Sequence, residues 1–193
     1  MTVEESWEQI ERWLARYAPA GSPLPGPCSR RELEALYEHL GVRLPADVEA
    51  SLLRHDGSGV TALIPICFEL LSVAGIAKEF DAWVEYGRRD REAWWVRGYD
   101  KTPNLYVPLA KLTLSMVMVQ TRTGGLGGWA VDGGSAPWEE DWPSLEDVLA
   151  RIARGLDSPP PCRVVLADGE EWMATNEDDT FPETLVWIRP EDR

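Results

Sequence analysis

The sequence predicts a single α+β domain in which helices flank a mostly antiparallel sheet. Two capping boxes, each followed by apolar residues at helical spacing, indicate helices in the first 55 residues. Short apolar runs separated by turn residues, between residues 94 and 131, are typical of antiparallel strands. A chain of 193 residues with 44% hydrophobic content can form one core that buries about 70% of its unfolded surface.

The first two helices are predicted from their starts. Thr2 and Glu5 form a capping box before a helix over Val3–Tyr17. A second capping box, Ser29 with Glu32, begins the next helix after a loop rich in proline and glycine. The apolar face of the first helix consists of Trp7, Ile10, Leu14 and Tyr17, and that of the second of Leu33, Leu36, Tyr37 and Leu40.

A third helix is predicted between two glycines. Gly41 supplies the left-handed end of the second helix, and Pro45 suits the first position of the third. Gly57 is predicted as the left-handed residue that ends the third helix. A metal site of a phosphohydrolase needs several histidines, and this chain has only two, so we interpret His55-Asp56 as a helix end rather than a catalytic pair. The predicted buried face is Val48 and Leu52, with Leu53 beside them.

The middle of the chain is predicted to supply the sheet. Residues 60–71 resemble a strand, and residues 72–87 are predicted as a helix. The runs AWWVRGY, NLYVPLA, LSMVMVQT and GGLGGWAVDGG are predicted as strands and turns of an antiparallel sheet. Ser144 with Asp147 starts a last helix. The apolar face of the fourth helix is Val73, Ile76, Phe80 and Val84, and that of the last is Leu145, Val148, Leu149, Ile152 and Leu156.

An acidic extension, residues 158–193, is predicted to follow the main domain of residues 1–157. Asp168-Gly169 favours a two-residue hairpin turn between apolar runs, and residues 184–188 are predicted as one more strand. Fewer than 40 residues cannot hold a core alone, so we expect the hairpin and the strand to dock on the main sheet.

No motif in the sequence predicts catalysis, a metal site or a cofactor. Gly125, Gly127 and Ala130 match a dinucleotide fingerprint, but a strand and a turn are expected after them where a helix should begin. The three cysteines lack the spacing of a zinc or redox site, and no GxSxG nucleophile elbow is present. The arginine- and tryptophan-rich run YGRRDREAWWVRGYDK is interspersed with acids, so nucleic-acid binding is not expected.

The net charge of −14 is concentrated in the last third of the chain. Residues 1–131 hold 17 acids and 14 bases, whereas residues 132–193 hold 16 acids and 5 bases. Such a field disfavours nucleic acid and anionic membranes and favours a basic protein partner, although the acids alone would also serve solubility. The acidic N-terminus and the cysteine content predict a cytoplasmic protein without a signal peptide.

The stretch PWEEDWPS is the candidate partner-binding segment. Trp138 and Trp142 bracket Glu139, Glu140 and Asp141 just before the last helix. Aromatic residues with a charged rim are typical of interaction hot spots. The alternative is that the tryptophans pack onto the sheet while the acids face water.

The segments SRRELEALYEHLGVRLPADVEASLLRHDGS, LLSVAGIAKEFDAW and PSLEDVLARIARGL together resemble the SUKH superfamily. This superfamily joins a fungal cell-wall-synthesis regulator to bacterial proteins that include immunity proteins against toxins. The resemblance covers residues 1–157, and its family motif here is Leu44, Pro45, Leu52, Asp56 and Gly57. It implies a single α+β domain that acts by protein–protein contact without catalysis or a cofactor.

Three hypotheses for the function remain. The first is an immunity-type protein whose acidic surface blocks the basic active site of a toxin, such as a nuclease. The alternative is a regulatory or scaffold protein with a housekeeping partner, similar to the cell-wall-synthesis regulator branch. An enzyme of unknown class is a third hypothesis, which no constellation of residues supports.

Overall fold

The computed structural model describes residues 1–21, 23–65, 67–89, 105–130, 142–166, 169–176 and 183–192. These residues form a single α+β domain, which confirms the predicted fold class. The helices are α1 (Val3–Tyr17), α2 (Arg30–Leu40), α3 (Ala46–Arg54), α4 (Val73–Arg89) and α5 (Leu145–Gly155). The strands are β1 (Glu69–Leu70), β2 (Tyr106–Leu112), β3 (Ser115–Gln120), β4 (Leu126–Ala130), β5 (Cys162–Val165), β6 (Glu171–Thr175) and β7 (Val186–Ile188).

The helix starts are held by the predicted capping boxes. The Thr2 hydroxyl accepts a hydrogen bond from the backbone N–H of Glu5 at 3.2 Å, and the Glu5 carboxylate accepts from the Thr2 N–H at 2.8 Å. Ser29 and Glu32 repeat this arrangement at the start of α2. Gly41 ends α2 with a φ of 68°, as predicted. These local signals therefore confirm the predicted bounds of α1 and the predicted start and end of α2.

The end of α3 differs from the prediction. Pro45 precedes the helix as its N-cap, and the C-cap is His55, whose φ of −140° is extended. Gly57 does have a positive φ, 78°, but it lies beyond the cap and does not terminate the helix. The backbone of Leu70–Ser72, just before α4, comes so close that only glycine fits at this position, as described below.

The main sheet is antiparallel, in the order β1-β2-β3-β4. The prediction of a strand over residues 60–71 is wrong except at β1 and at an isolated bridge between Ile64 and Phe68. Leu63 and Ile64 are fully buried, so the apolar character of this segment reflects burial in irregular structure. The predicted face of α4 is correct, since Val73, Ile76 and Phe80 are buried and Val84 packs against the core.

The extension forms a second sheet, in the order β5-β6-β7, and this sheet is not hydrogen-bonded to the main sheet among the described residues. The predicted pairing of β5 with β6 is present, and beyond it the Leu166 N–H donates to the Glu170 carbonyl at 2.9 Å. Asp168 of the predicted two-residue turn lies outside the described residues. The sheet lies against α5, where a Cβ added at Gly155 would come within 2.6 Å of the Arg163 carbonyl oxygen. Only glycine permits this approach. The boundary at residue 157 stays a prediction.

One continuous core connects both sheets and the helices. The predicted apolar face of α5 is fully buried. The Trp187 indole donates to the Ala62 carbonyl at 2.8 Å and links the second sheet to the segment before β1. The tryptophans whose side chains are described are all buried: Trp7, Trp13, Trp83, Trp142, Trp172 and Trp187. Across the described residues, each helix is too short or too polar to span a bilayer.

Candidate functional site

His55 lies at the end of α3 with both ring nitrogens engaged. Its Nδ1 is 2.6 Å from the Pro25 carbonyl oxygen, and its Nε2 is 2.8 Å from Oε1 of Glu11. The ring packs edge-on against Trp7 at 4.7 Å, and only 13% of the side chain is exposed. Both nitrogens thus join α3 to α1 and to the loop before α2.

Glu11 is the centre of this polar network. Arg54 binds its two oxygens in a bidentate pair, with Nε to Oε1 at 2.7 Å and Nη2 to Oε2 at 2.8 Å. The Nη1 of Arg54 also donates to Glu4 at 2.5 Å. Hydrogen bonds from Arg54, and secondarily from His55, lower the pKa of Glu11. In return, the hydrogen bond to Glu11 raises the pKa of Arg54, so the pair is charged at neutral pH.

Asp56 and Gly57 connect α3 to α4. The Oδ1 of Asp56 accepts a hydrogen bond from the Val73 N–H at 2.7 Å, which caps the first turn of α4. The Asp56 N–H donates to the Gly26 carbonyl at 2.8 Å. A Cβ added at Gly57 would lie 2.6 Å from the Leu70 carbonyl oxygen, so the backbone there has no room for a side chain. We call Glu11, Arg54, His55, Asp56 and Gly57 the α3 junction.

The other family-motif residues complete this framework. Leu44 and Leu52 are buried in the core, and Pro45 is the N-cap of α3. Ser51, also buried on α3, accepts a hydrogen bond from the Trp7 indole at 3.1 Å. Each residue of the motif thus has a structural role in joining α3 to its neighbours.

The predicted partner-binding segment is only partly described. Trp138, Glu139, Glu140 and Asp141 lie outside the described residues. Trp142 is 7% exposed and exchanges two backbone hydrogen bonds with Leu126, at 2.8 and 3.1 Å. Its side chain packs into the core, which agrees for this residue with the alternative that the tryptophans of the segment pack inside the fold. The acidic part of the segment stays a prediction.

A cleft between α1 and α5 brings together arginines that no pattern in the sequence placed near one another. The cleft has a volume of about 490 Å³. Arg12, Arg16 and Arg154 line it and are exposed, although they lie up to 142 positions apart in the chain. Two arginines one turn apart on α1 were the signal available, and their proximity to α5 required the fold. We call this feature the arginine cleft; its walls include Trp13, Tyr17 and Leu156.

The glycine-rich run that resembles a dinucleotide fingerprint has a structural explanation. The glycines at 124, 125, 127 and 128 lie in the turn after β3 and in β4, so the dinucleotide-like pattern runs into a strand and not into a helix N-terminus. Within the described part of the chain, no group of three or more histidine, cysteine or acidic side chains is arranged to hold a metal ion.

Comparison with known proteins gives one informative similarity. No family model matches the chain. The chain is 29% identical over 149 residues to a protein from Yarrowia lipolytica described as a KNR4/SMI1 homolog, and the match covers 70% of this chain. It covers 21% of the relative, so the chain spans about a fifth of that protein's length. The similarity supports an SMI1/KNR4-type family, which belongs to the SUKH superfamily.

Proposed function

We propose that this chain is a non-catalytic regulatory module that acts through protein–protein contact, in the manner of an SMI1/KNR4-type protein. The observation that carries the proposal is that His55 and Asp56, the pair that most resembles a catalytic dyad, both make hydrogen bonds within the fold. Both ring nitrogens of His55 are held by protein acceptors, and Asp56 caps α4. The similarity to the KNR4/SMI1 homolog supports the regulatory interpretation.

The geometry of His55 argues against proton transfer to a substrate. A general base needs a ring nitrogen that can reach the proton it abstracts. Here Nδ1 and Nε2 each lie within 2.8 Å of an acceptor that belongs to the fold, and the ring is largely covered by Trp7. The polar groups of the α3 junction therefore hold α1, α3 and α4 together.

The proposed partner of the acidic surface is a basic protein in the cytoplasm. The support is the charge of residues 132–193, which hold 16 acids and 5 bases. Glu139, Glu140 and Asp141 are the candidate contact residues, because they form a short acidic run beside a buried tryptophan that would anchor it.

A second candidate function is toxin neutralisation. The same acidic last third would suit the basic active site of a nuclease toxin, which normally binds a phosphate backbone. The two candidates differ in the identity of the partner, so one capture experiment separates them.

The test is affinity capture of the tagged protein from the source organism, at low salt and at about 500 mM salt, followed by mass spectrometry. The wild type is compared with E139Q/E140Q/D141N. The matched control is E177Q/D178N/D179N, which removes the same charge from the other acidic run of the last third. We expect a basic partner that the wild type and the control retain at low salt and that the first variant loses.

The outcomes are distinct. A housekeeping regulator among the retained proteins supports the regulatory function, whereas a toxin domain supports neutralisation. Failure of the wild type to retain any partner, together with turnover of a phosphatase, esterase or nuclease substrate by the purified protein, would contradict the interaction function.

A further inference from the structure

We propose that the arginine cleft is a second interaction surface, which binds an acidic segment of a partner protein. This inference rests on the proposed function, since it gives the interaction module a surface of the opposite sign. Arg12, Arg16 and Arg154 supply the charge, and Tyr17 and Leu156 supply apolar wall.

The first argument is that these cations have no carboxylate partner among the described residues. Among the lysines and arginines with described side chains, six form no ion pair within the described part of the chain, and three of these six line the cleft. The six are Arg12, Arg16, Arg31, Lys78, Arg122 and Arg154. In a chain with 33 acids and 19 bases, three unpaired arginines around one cleft form a local positive patch on an otherwise acidic protein, which favours an acidic ligand.

The second argument is that acidic residues lie near these arginines in the sequence or in the cleft but form no ion pairs with them among the described residues. Glu8 precedes Arg12 by four residues, the spacing of a helical ion pair, yet the Arg12 Nη1 donates to the amide oxygen of Gln9 at 2.8 Å. Asp157 lines the cleft but forms no ion pair with the arginines in the described structure. The guanidinium groups thus remain available to a ligand.

The third argument concerns stability. Arg12 and Arg16 are like charges at i and i+4 on α1, an arrangement that destabilises a helix slightly. Arg16 and Arg154 lie in the last turns of α1 and α5, where they complement the helix dipoles, but Arg12 lies outside the last turn. The dipole therefore explains two of these positions and leaves Arg12 unexplained.

The floor of the cleft is well held, so the arginines project from a rigid base. The Gln9 side-chain amide donates to the Leu156 carbonyl at 2.7 Å, and the Trp13 indole donates to the Ser158 carbonyl at 3.1 Å. The Arg16 guanidinium lies 5.2 Å from the Tyr17 ring centroid. Rigid presentation lowers the entropy lost on binding.

The chemistry of the occupant follows from charge and shape. Guanidinium groups bind carboxylates through two parallel hydrogen bonds. The arginines are exposed on an open cleft, which suits a peptide segment better than a small enclosed ligand. The dense negative charge of a nucleic acid would be repelled by the rest of this chain, whose net charge is −14. An acidic peptide places only a few carboxylates, and these lie at the cleft.

The test uses a short fluorescent peptide that carries several glutamates and one phenylalanine, with its binding followed by fluorescence anisotropy. The comparison peptide has glutamine in place of each glutamate. We expect the acidic peptide to bind the wild type, the glutamine peptide to bind at least about tenfold more weakly, and added salt near 200 mM to weaken the binding.

The matched variants are R12Q/R16Q/R154Q, which removes the three positive side-chain charges of the cleft, and R31Q/K78Q/R122Q, which removes the other three cations without an ion pair among the described residues. We expect the first to weaken acidic-peptide binding about tenfold and the second to change it less than about twofold. Comparison of the two peptides on the wild type keeps the test valid if either variant folds poorly.

Three results would overturn the inference: no preference of the wild type for glutamate, equal weakening by both triple variants, or displacement of the peptide by low concentrations of inorganic phosphate. The last would identify a small-anion site instead of a docking surface. Loss of peptide binding leaves the capture experiment with E139Q/E140Q/D141N unaffected, so failure of this inference is separate from failure of the proposed function.

Discussion

The α3 junction and the arginine cleft both contain charged residues of α1. These residues have ion-pair partners in the junction, whereas those in the cleft have none among the described residues. Glu11 and Arg12 are neighbours in sequence, but consecutive helix residues point about 100° apart around the axis. Glu11 therefore lies in the junction and Arg12 in the cleft. In the junction, Glu11 is bound by Arg54 and His55. In the cleft, Arg12 has only the Gln9 amide as a hydrogen-bond partner among the described residues.

This difference separates charged residues that stabilise the fold from charged residues that are available to bind a partner. A charge held in a bidentate pair, with about 70% of its side chain covered, contributes to the free energy of folding. An exposed cation without a carboxylate partner contributes little to the free energy of folding or opposes it, so its removal should be tolerated by the fold. Variants in the junction should therefore damage folding, and variants in the cleft should damage binding.

The largest expected effect is that of Gly57→Ala. The added Cβ would lie 2.6 Å from the Leu70 carbonyl oxygen at a φ of 78°, so the α3–α4 connection would have to move. We expect a loss of about 3–5 kcal/mol in the free energy of unfolding, measured by urea denaturation.

Gly169→Ala is the matched control for this substitution. Gly169 has a φ of 88° but no heavy atom within 4 Å of an added Cβ, so only the backbone conformation opposes the change. We expect a loss of about 1–2 kcal/mol. Equal losses for the two alanines would show that close packing at Gly57 is unimportant.

The next largest effect is expected for Glu11→Gln, which leaves Arg54 and His55 without their carboxylate. We expect a loss of about 1–2 kcal/mol at pH 7, since the pair is partly exposed. Glu34→Gln, which breaks an exposed pair with Arg43, is the control and should cost less than about 0.5 kcal/mol.

The effect of Glu11→Gln should also depend on pH. Because the pKa of Glu11 is lowered in the folded protein, its contribution is fully present above the ordinary glutamate pKa of about 4.3. That contribution is lost as the pH falls through the lower folded-state pKa. The difference between wild type and variant in urea denaturation should therefore shrink as the pH is lowered below about 4.3, and a constant difference would argue against the charged pair.

A smaller effect is expected at Asp56, where the acceptor matters more than the charge. Asp56→Ala removes the cap on the Val73 N–H and should cost about 1 kcal/mol. Asp56→Asn keeps an acceptor oxygen and should cost less than half of that. Thermal denaturation followed by circular dichroism measures both, and an Asn variant as unstable as the Ala variant would assign the role to charge.

The smallest effect is expected for Arg12→Gln in the cleft. Removal of a like charge four residues from Arg16 should stabilise the protein by about 0.3 kcal/mol at low salt. The gain should vanish at about 1 M salt, where surface charges are screened. A destabilisation that persists at high salt, measured by urea denaturation, would show that Arg12 supports the fold.

The sequence predicted the elements that depend on local chemistry. The Thr2–Glu5 and Ser29–Glu32 capping boxes lie within one turn of the helices they start, so their pattern is sufficient. Residues 60–71 were predicted as a strand because burial in irregular structure and burial in a strand produce the same apolar run.

The site depends on contacts that no local pattern contains. Gly57 was assigned to the end of α3, whereas its φ serves a contact with Leu70, 13 positions later. The arginine cleft joins Arg12 to Arg154, and the sequence between them gives no indication that α1 packs on α5. The sequence shows which residues are charged, but only the folded structure shows which charged side chains form ion pairs with each other.

The most direct test compares the free energies of unfolding of R12Q/R16Q/R154Q and Glu11→Gln by urea denaturation at pH 7, under identical conditions. The cleft variant should stay within about 0.5 kcal/mol of the wild type, because the lost helix-dipole interactions of Arg16 and Arg154 are offset by relief of the repulsion between Arg12 and Arg16. Glu11→Gln should lose about 1–2 kcal/mol. A cleft variant that loses as much stability as Glu11→Gln would show that its arginines support the fold, which contradicts the assignment of the cleft to a partner.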